Sequence, residues 1–244
     1  MDWLVFGLVL YARGLVTTIG YHRYFAHRSF KTSRAGQFIL ACLCCCNVQN
    51  GPLWWAAHHR RHHKHSDQPG DVHSPLQGGF WWAHVGWLFA TLEAPGRDTV
   101  KDLRRFPELR ALERVWLVPP LVVAAAFWAA GGWSLVCIGF CLSAVVTFHM
   151  SFAVNSVAHL VGTRRYATPD ESRNSLVLAV LTLGEGWHNN HHHYPHAAQA
   201  GFFWWEIDAS FRLIRALEWM GLVWGVRRVP EHKRIPVRSA VPCA

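Results

Sequence analysis

Apolar residues run almost unbroken from 3 to 20, with Arg13 the one interruption, and this is about the length needed to cross a bilayer. A second apolar run, 36–48, is bracketed by Gln37 and by Asn47-Val48-Gln49-Asn50-Gly51-Pro52 and is short for a crossing, so a peripheral or re-entrant segment is expected. Residues 53–57 lead into a helix that Pro69-Gly70 should end. The stretch Gly78-Gly79-Phe80-Trp81-Trp82-Ala83-His84-Val85-Gly86-Trp87 is aromatic enough for an interface or an apolar wall. Residues 97–114 are charged with helical spacing and predict a helix on the membrane surface. Two further apolar runs, 115–130 and 133–154, are joined by Gly131-Gly132 with no charge to anchor a loop, which predicts a transmembrane hairpin. The expectation is a single domain over 1–244 of all-α integral membrane class. Its spans lie near 3–20, 115–130 and 133–154, topped by a cytoplasmic cap of residues 21–114 and 155–244.

Charge supports a multi-pass membrane location with the cap on the cytoplasmic side. The net charge is +9, and all but Arg13 of the 24 Lys and Arg lie in residues 23–34, 60–64, 97–114, 164–173 and 212–238, leaving 115–163 without any. Basic segments that alternate with charge-free apolar runs follow the positive-inside pattern, and a nucleic-acid face would not be segregated in this way. The seven Cys include Cys42, Cys44, Cys45 and Cys46 without zinc-ribbon spacing, which fits small apolar residues in a reducing compartment. Met1-Asp2 lacks a basic n-region, so no cleavable signal peptide is expected.

Among 17 His, one arrangement occurs twice: His59, His62 and His63, then His188, His191 and His192, both at i, i+3 and i+4. That spacing puts three imidazoles on one helix face, where they can converge on a single point. His22 and His27, at i and i+5, lie roughly 140° apart on a regular helix, so His22 is expected on the last helical turn and His27 beyond a break. His159 with Asn155 sits where the hairpin returns to the basic side. If these groups meet at one site, the chain between His27 and His59 cannot cross the bilayer an odd number of times. Nine imidazoles exceed the four to six ligands of one first-row ion, so two metals are implied. A dimetal site beside a greasy tunnel suits oxygen activation better than hydrolysis, since zinc hydrolases keep three protein ligands and a water.

The order and spacing of these groups resemble the membrane-bound fatty acyl desaturases of the stearoyl-CoA desaturase type. The resemblance covers nearly the whole chain, from Gly20-Tyr21-His22-Arg23-Tyr24-Phe25-Ala26-His27-Arg28 through His59-Arg60-Arg61-His62-His63-Lys64, Phe80-Trp81-Trp82-Ala83-His84-Val85-Gly86-Trp87 and Asn155-Ser156-Val157-Ala158-His159 to Gly184-Glu185-Gly186-Trp187-His188-Asn189-Asn190-His191-His192. It implies two iron ions held by His22, His27, His59, His62, His63, His159, His188, His191 and His192, with Asn155 holding a metal-bound water. It also implies a bent acyl tunnel, for which Gln49, Trp55, Trp81, Trp82 and Trp87 are candidate walls. The implied reaction uses O2 and two electrons to place a cis double bond, most often at Δ9, in a long saturated acyl chain. No fused cytochrome or ferredoxin motif is visible, which points to a separate donor of the ferredoxin, rubredoxin or cytochrome b5 type.

Two features depart from the resembled pattern. Relatives usually carry another transmembrane helix ahead of the one feeding the first box, whereas Met1 begins at that helix, so a truncated or misassigned start is expected. Animal relatives hold the CoA headgroup with an Arg-Asp pair before the second box and basic residues after His-Val-Gly-Trp; here stand Ala57-His58 and Leu88-Phe89-Ala90-Thr91. Acyl carrier protein and phospholipid therefore stand beside acyl-CoA as carriers. A hydroxylase on the same scaffold is the enzymatic alternative, and a membrane metal-binding protein the non-enzymatic one, although its ligands should line a path through the spans. Glu185 reads as an acceptor orienting a ligand imidazole. His58, His65, His73, His193, His196 and His232 read as surface or supporting groups, His84 as a packing residue and His149 as a structural histidine within a span.

Overall fold

The computed structural model describes residues 2–90 and 95–235. Helix α1 (Asp2–Leu15) continues without a break into a π-wound segment, Val16–Ala26, forming a 25-residue helix, Asp2–Ala26, with mean hydropathy 1.5. The break expected after His22 does not occur. The run Val16-Thr17-Thr18-Ile19 is β-branched, with χ1 crowded against the preceding turn, and Thr18 Oγ1 donates back to the Leu15 carbonyl at 3.1 Å. Gly20 then lets α2 (Arg34–Cys45) approach closely, because a Cβ there would lie 2.4 Å from Cys44 Sγ.

Helix α3 (Pro52–His65) packs against the π-wound segment. Its first N–H groups have no partner within the helix, and Glu113 of α4 (Pro107–Arg114) accepts from Leu53 N and Trp54 N, both at 2.9 Å. Pro107 has no N–H to continue a helix, so the expected single helix over 97–114 is broken: a 3₁₀ turn Arg97–Val100 and one helical turn Lys101–Arg104 precede α4.

The second long apolar stretch, Val118–His159, has mean hydropathy 2.0. Its first helix, α5 (Val118–Leu135), reverses at Gly131-Gly132, where Gly132 takes φ 63°. Twelve residues further along a straight helix lie about 18 Å away. Phe127 and Gly139 instead touch, with 2.9 Å from Phe127 Cε1 to the position of a Cβ on Gly139. The chain has therefore doubled back before α6 (Ser143–Ser156) begins.

Arg13, the one charge inside the first apolar run, is 5 % exposed and fully engaged. It donates to Ser143 Oγ and to the Cys46 carbonyl and lies over the Phe140 ring, tying α1 to both the returning helical arm of the hairpin and the end of α2. Within the same bundle His84 bonds Ser156 Oγ and His149, each at 3.0 Å, so the two histidines serve packing.

Among the described residues the structure is mostly helical, with one two-stranded antiparallel ladder, β1 (Lys31–Thr32) with β2 (Val223–Trp224). The helical class expected from the sequence is what the structure shows. The ladder begins a strap over residues 223–234: Arg227 N donates to Ser29 O and Ala198 N to Arg227 O, each at 2.8 Å, and Tyr166 Oη reaches Arg234 O at 2.9 Å.

Candidate metal centre

Nine histidines gather into two adjoining groups: His22, His27, His59, His63 and His191 in one, His62, His159, His188 and His192 in the other, with the ligand atoms of each group within 4.8 Å of one another. Each H-x-x-H-H triplet splits. On a helix the third and fourth residues onward from a given position lie about 100° apart, on either side of it. His62 and His63 therefore straddle two centres, as do His191 and His192, and the expectation that a triplet converges on one point is corrected. His22 and His27 do meet, ring centroids 4.7 Å apart, because His27 N bonds the His22 carbonyl five residues back at 3.1 Å. The wider π turn brings i and i+5 together.

The local sequence holds each carrier element in register. Arg60 donates to the Phe25 and Ala26 carbonyls at 2.9 and 2.8 Å and to Asp102 at 2.7 Å, clamping α3 onto the end of the first helix. Helix α7 (His188–His193) has six residues, too few to persist alone. Asn189 and Asn190, both 0 % exposed, anchor it. Asn189 Oδ1 accepts from Arg165 N and Tyr166 N, while Asn190 bonds Asn174, Glu206 and Ala200 O. Gly184 takes φ 126°, and Gly186 lies so close to Ala179 that a Cβ would come within 2.0 Å of its nitrogen; these glycines let Glu185 reach inward.

Carboxylates behind the rings select their tautomers. Glu185 accepts from His22 Nδ1 at 2.6 Å, Asp71 from His62 Nδ1 at 3.1 Å, and Asp67 and Asp170 from His159 and His192 Nδ1 at 2.8 Å. In each neutral ring the bare Nε2 then faces inward. His192 Nε2 is buried without a partner, and Nε2 atoms meet at 2.8–3.0 Å along His27–His59–His63–His191–His22. Lone pairs gathered so closely need a cation, so the donor set fits a metal. Burial and neighbouring imidazoles hold His27, His59, His63, His188, His191 and His192 well below the usual histidine range, favouring the neutral ligand form. Burial alone would raise the Glu185 carboxyl, yet His22 and Arg23 bring it down to about 2.

A cavity of ≈ 220 Å³ passes both groups, touching His22 and His59 of one and His62 and His188 of the other. Gln49, Trp55, Trp87 and Asn155 line it. Trp81 and Trp82 do not; Trp81 is 72 % exposed, on the outer side of its short helix. His58 and His73, read as surface or supporting groups, also line the cavity and are buried, whereas His193 stacks on Tyr166. Leu88, Phe89 and Ala90 follow Trp87 as expected, and Thr91 lies outside the described residues.

Asp67, Asp71, Asp170 and the anchoring asparagines were not singled out from sequence. A usable signal existed for two of them: Asp67 and Asp71 closely follow the second box in a chain with only 15 acidic residues.

Comparison with known proteins places the chain in a family. The fatty acid desaturase family model matches residues 1–226. The chain is 40 % identical over 227 residues to a probable lipid desaturase, ADS3.2, of Arabidopsis thaliana, covering 91 % of this chain and 63 % of that protein. It is 38 % identical to an acyl-CoA C20 Delta5-desaturase of Anemone leveillei, covering 95 % and 76 %, and 37 % identical to an sn-2 palmitoyl-lipid 9-desaturase of Nostoc sp. (strain 36), covering 91 % and 81 %. The chain thus spans just under two thirds of the first relative's length and more of the other two. With two apolar helical stretches among the described residues long enough to cross a membrane and a histidine set fit for metal, the chain belongs to the fatty acid desaturases, a membrane-bound, metal-dependent family of oxidoreductases.

Proposed function

We propose that this protein is an integral, multi-pass membrane desaturase that introduces a cis double bond at Δ9 into a long saturated acyl chain, with its active site on the cytoplasmic side. The observation that carries the reading is the pair of imidazole groups side by side on the wall of one largely apolar cavity. His22, His27, His59, His63 and His191 would hold one iron, and His62, His159, His188 and His192 the other, with the Asn155 amide available to a water there. Two iron ions so held, given dioxygen and two electrons from a ferredoxin, rubredoxin or cytochrome b5 type donor, supply an oxidant able to break unactivated C–H bonds.

The chain's own residues do the rest. Glu185, Asp67, Asp71 and Asp170 fix ring orientation, and Trp55, Trp87, Phe148 and Phe152 give the acyl chain an apolar path that excludes water. Two hydrogens leave adjacent methylenes, and with two electrons and two protons dioxygen becomes two waters. Relatives described as acting on acyl-CoA and on acyl lipids are similarly close, and acyl-CoA is the first carrier to test.

The test is the fatty acid profile, with double-bond location, of cells expressing the chain or its His191→Ala variant. A new Δ9 mono-unsaturated acid with the parent alone is expected. A hydroxy acid in its place would overturn desaturation in favour of hydroxylation, and an identical profile in parent and variant would overturn the metal-centred reading.

A further inference from the structure

The two imidazole groups differ sharply in what stands behind them. In the four-imidazole group, three of the rings donate to aspartates: His62 to Asp71, His159 to Asp67 and His192 to Asp170. Those side chains are 0, 2 and 5 % exposed. Their other hydrogen bonds come from neutral donors. Asp67 accepts from Ser74 Oγ and Glu171 N, Asp71 from Asp67 N and His73 N, and Asp170 from Ser172 N. Among the described residues their ion pairs are with histidine alone.

In the five-imidazole group, among the described residues, one carboxylate, Glu185, stands behind one ring, His22. Its charge is already met by Arg23, whose Nε and Nη2 reach Glu185 Oε1 at 3.1 and 3.0 Å. Arg23 is 2 % exposed and also bridges to Asp208 at 2.9 Å, so a buried guanidinium sits close behind this group.

We infer that the two groups are unequal, and that the four-imidazole group takes up a divalent metal ion first and more tightly. This rests on the two-metal reading above. A hydrogen-bonded carboxylate raises the basicity of the imidazole it orients, and loss of one such partner commonly costs 10–100-fold in metal affinity. Three aspartates in a buried, water-poor setting act together on the four-imidazole ion. An ion in the five-imidazole group would gain one more neutral ligand, and the charges behind it, Glu185 and Asp208 sharing Arg23, sum to one negative against the three aspartates of the other group. Charge favours the smaller group by more than one neutral ligand favours the larger. Asp67, Asp71 and Asp170 are positioning residues with an electrostatic task, and Arg23 opposes it at the other centre.

The experiment is an anaerobic titration of the full chain in detergent, stripped with a chelator, using Fe(II) and, as an optical probe, Co(II). Two equivalents per chain in two steps at least tenfold apart in affinity are expected. Asp170→Asn and Asp71→Asn, either sufficing if the other fails to fold, weaken the first step about 10–100-fold. Glu185→Gln weakens the second step alone. Two equivalents entering in one unresolved step would overturn the inference and leave the two-metal reading standing, as would a first step sensitive to Glu185→Gln and indifferent to the aspartate variants. Fewer than two equivalents bound by the parent chain would overturn the two-metal reading itself.

Discussion

His62 and His63 are neighbours in the chain and turn their rings to different centres, His62 joining His159, His188 and His192, and His63 joining His22, His27, His59 and His191. Helix α3 thus lies across the seam between the two groups, and α7 does the same with His191 and His192.

Removing either neighbour should therefore empty a different site. His62→Ala and His63→Ala are each expected to retain about one metal ion per chain where the parent holds two, as measured by elemental analysis of purified protein. The double variant should retain none. Equal loss of both ions from either single variant would contradict the split.

Arg60 carries no metal role in this arrangement yet holds two boxes in register through the Phe25 and Ala26 carbonyls. Arg60→Lys keeps the charge and loses the planar fork that serves those oxygens together with Asp102. A loss of about 1–3 kcal/mol is expected, read as a thermal midpoint lowered by several degrees in detergent.

Asn190 is wholly buried and meets Asn174, Glu206 and Ala200 O. Asn190→Ala leaves those partners unsatisfied in the interior, at a cost of about 3 kcal/mol or more. Thermal stability should fall further than for Arg60→Lys, and metal content should fall with it as α7 loosens.

Acid should weaken the metal-free fold before it protonates the carboxylates. Burial and neighbouring rings hold six imidazoles below their ordinary value of 6.5. Below that value the unfolded chain binds protons that the folded chain refuses, so stability falls as pH falls and levels off above about pH 7. Melting of chelator-treated protein from about pH 5 to pH 8 checks the sign, since a midpoint that rises on acidification would refute it. Glu185 acts in the same direction but in a more acidic window: with its folded value near 2 and its ordinary value 4.5, its contribution is present above 4.5 and is lost as pH drops toward 2.

Thr147, 1 % exposed, lines the cavity from α6. Thr147→Phe puts a ring where the acyl chain is proposed to run. The product distribution should move to shorter chains, and an unchanged distribution would remove this part of the cavity from the substrate path.

Much of this was legible in the sequence because it follows from spacing and polarity. The apolar runs, the reversal at Gly131-Gly132, the helix carrying His59 and the gathering of the histidines all rest on local periodicity. The rest depended on relationships that spacing does not carry. A π-wound helix leaves no mark in an apolar pattern, so a break is expected between His22 and His27 where a wider turn brings them together. The split of each triplet is decided by what lies on both sides of α3 and α7. Asp67 and Asp170 reach their histidines across more than 90 and about 20 residues, a tertiary fact. Trp81 and Trp82 read as wall because aromatic residues look alike on either side of a short helix.

The strap of residues 223–234 has a consequence for how the protein is made. It stitches the exit of the first box, through Ser29 and the Lys31–Thr32 strand, to the loops around the third, through Ala198 and Tyr166. A ribosome delivers this stretch after both long apolar helices have emerged. The histidines of the first box thus wait, through most of translation, for the segment that fastens them to their partners, and the centres close late, on helices that are already in place.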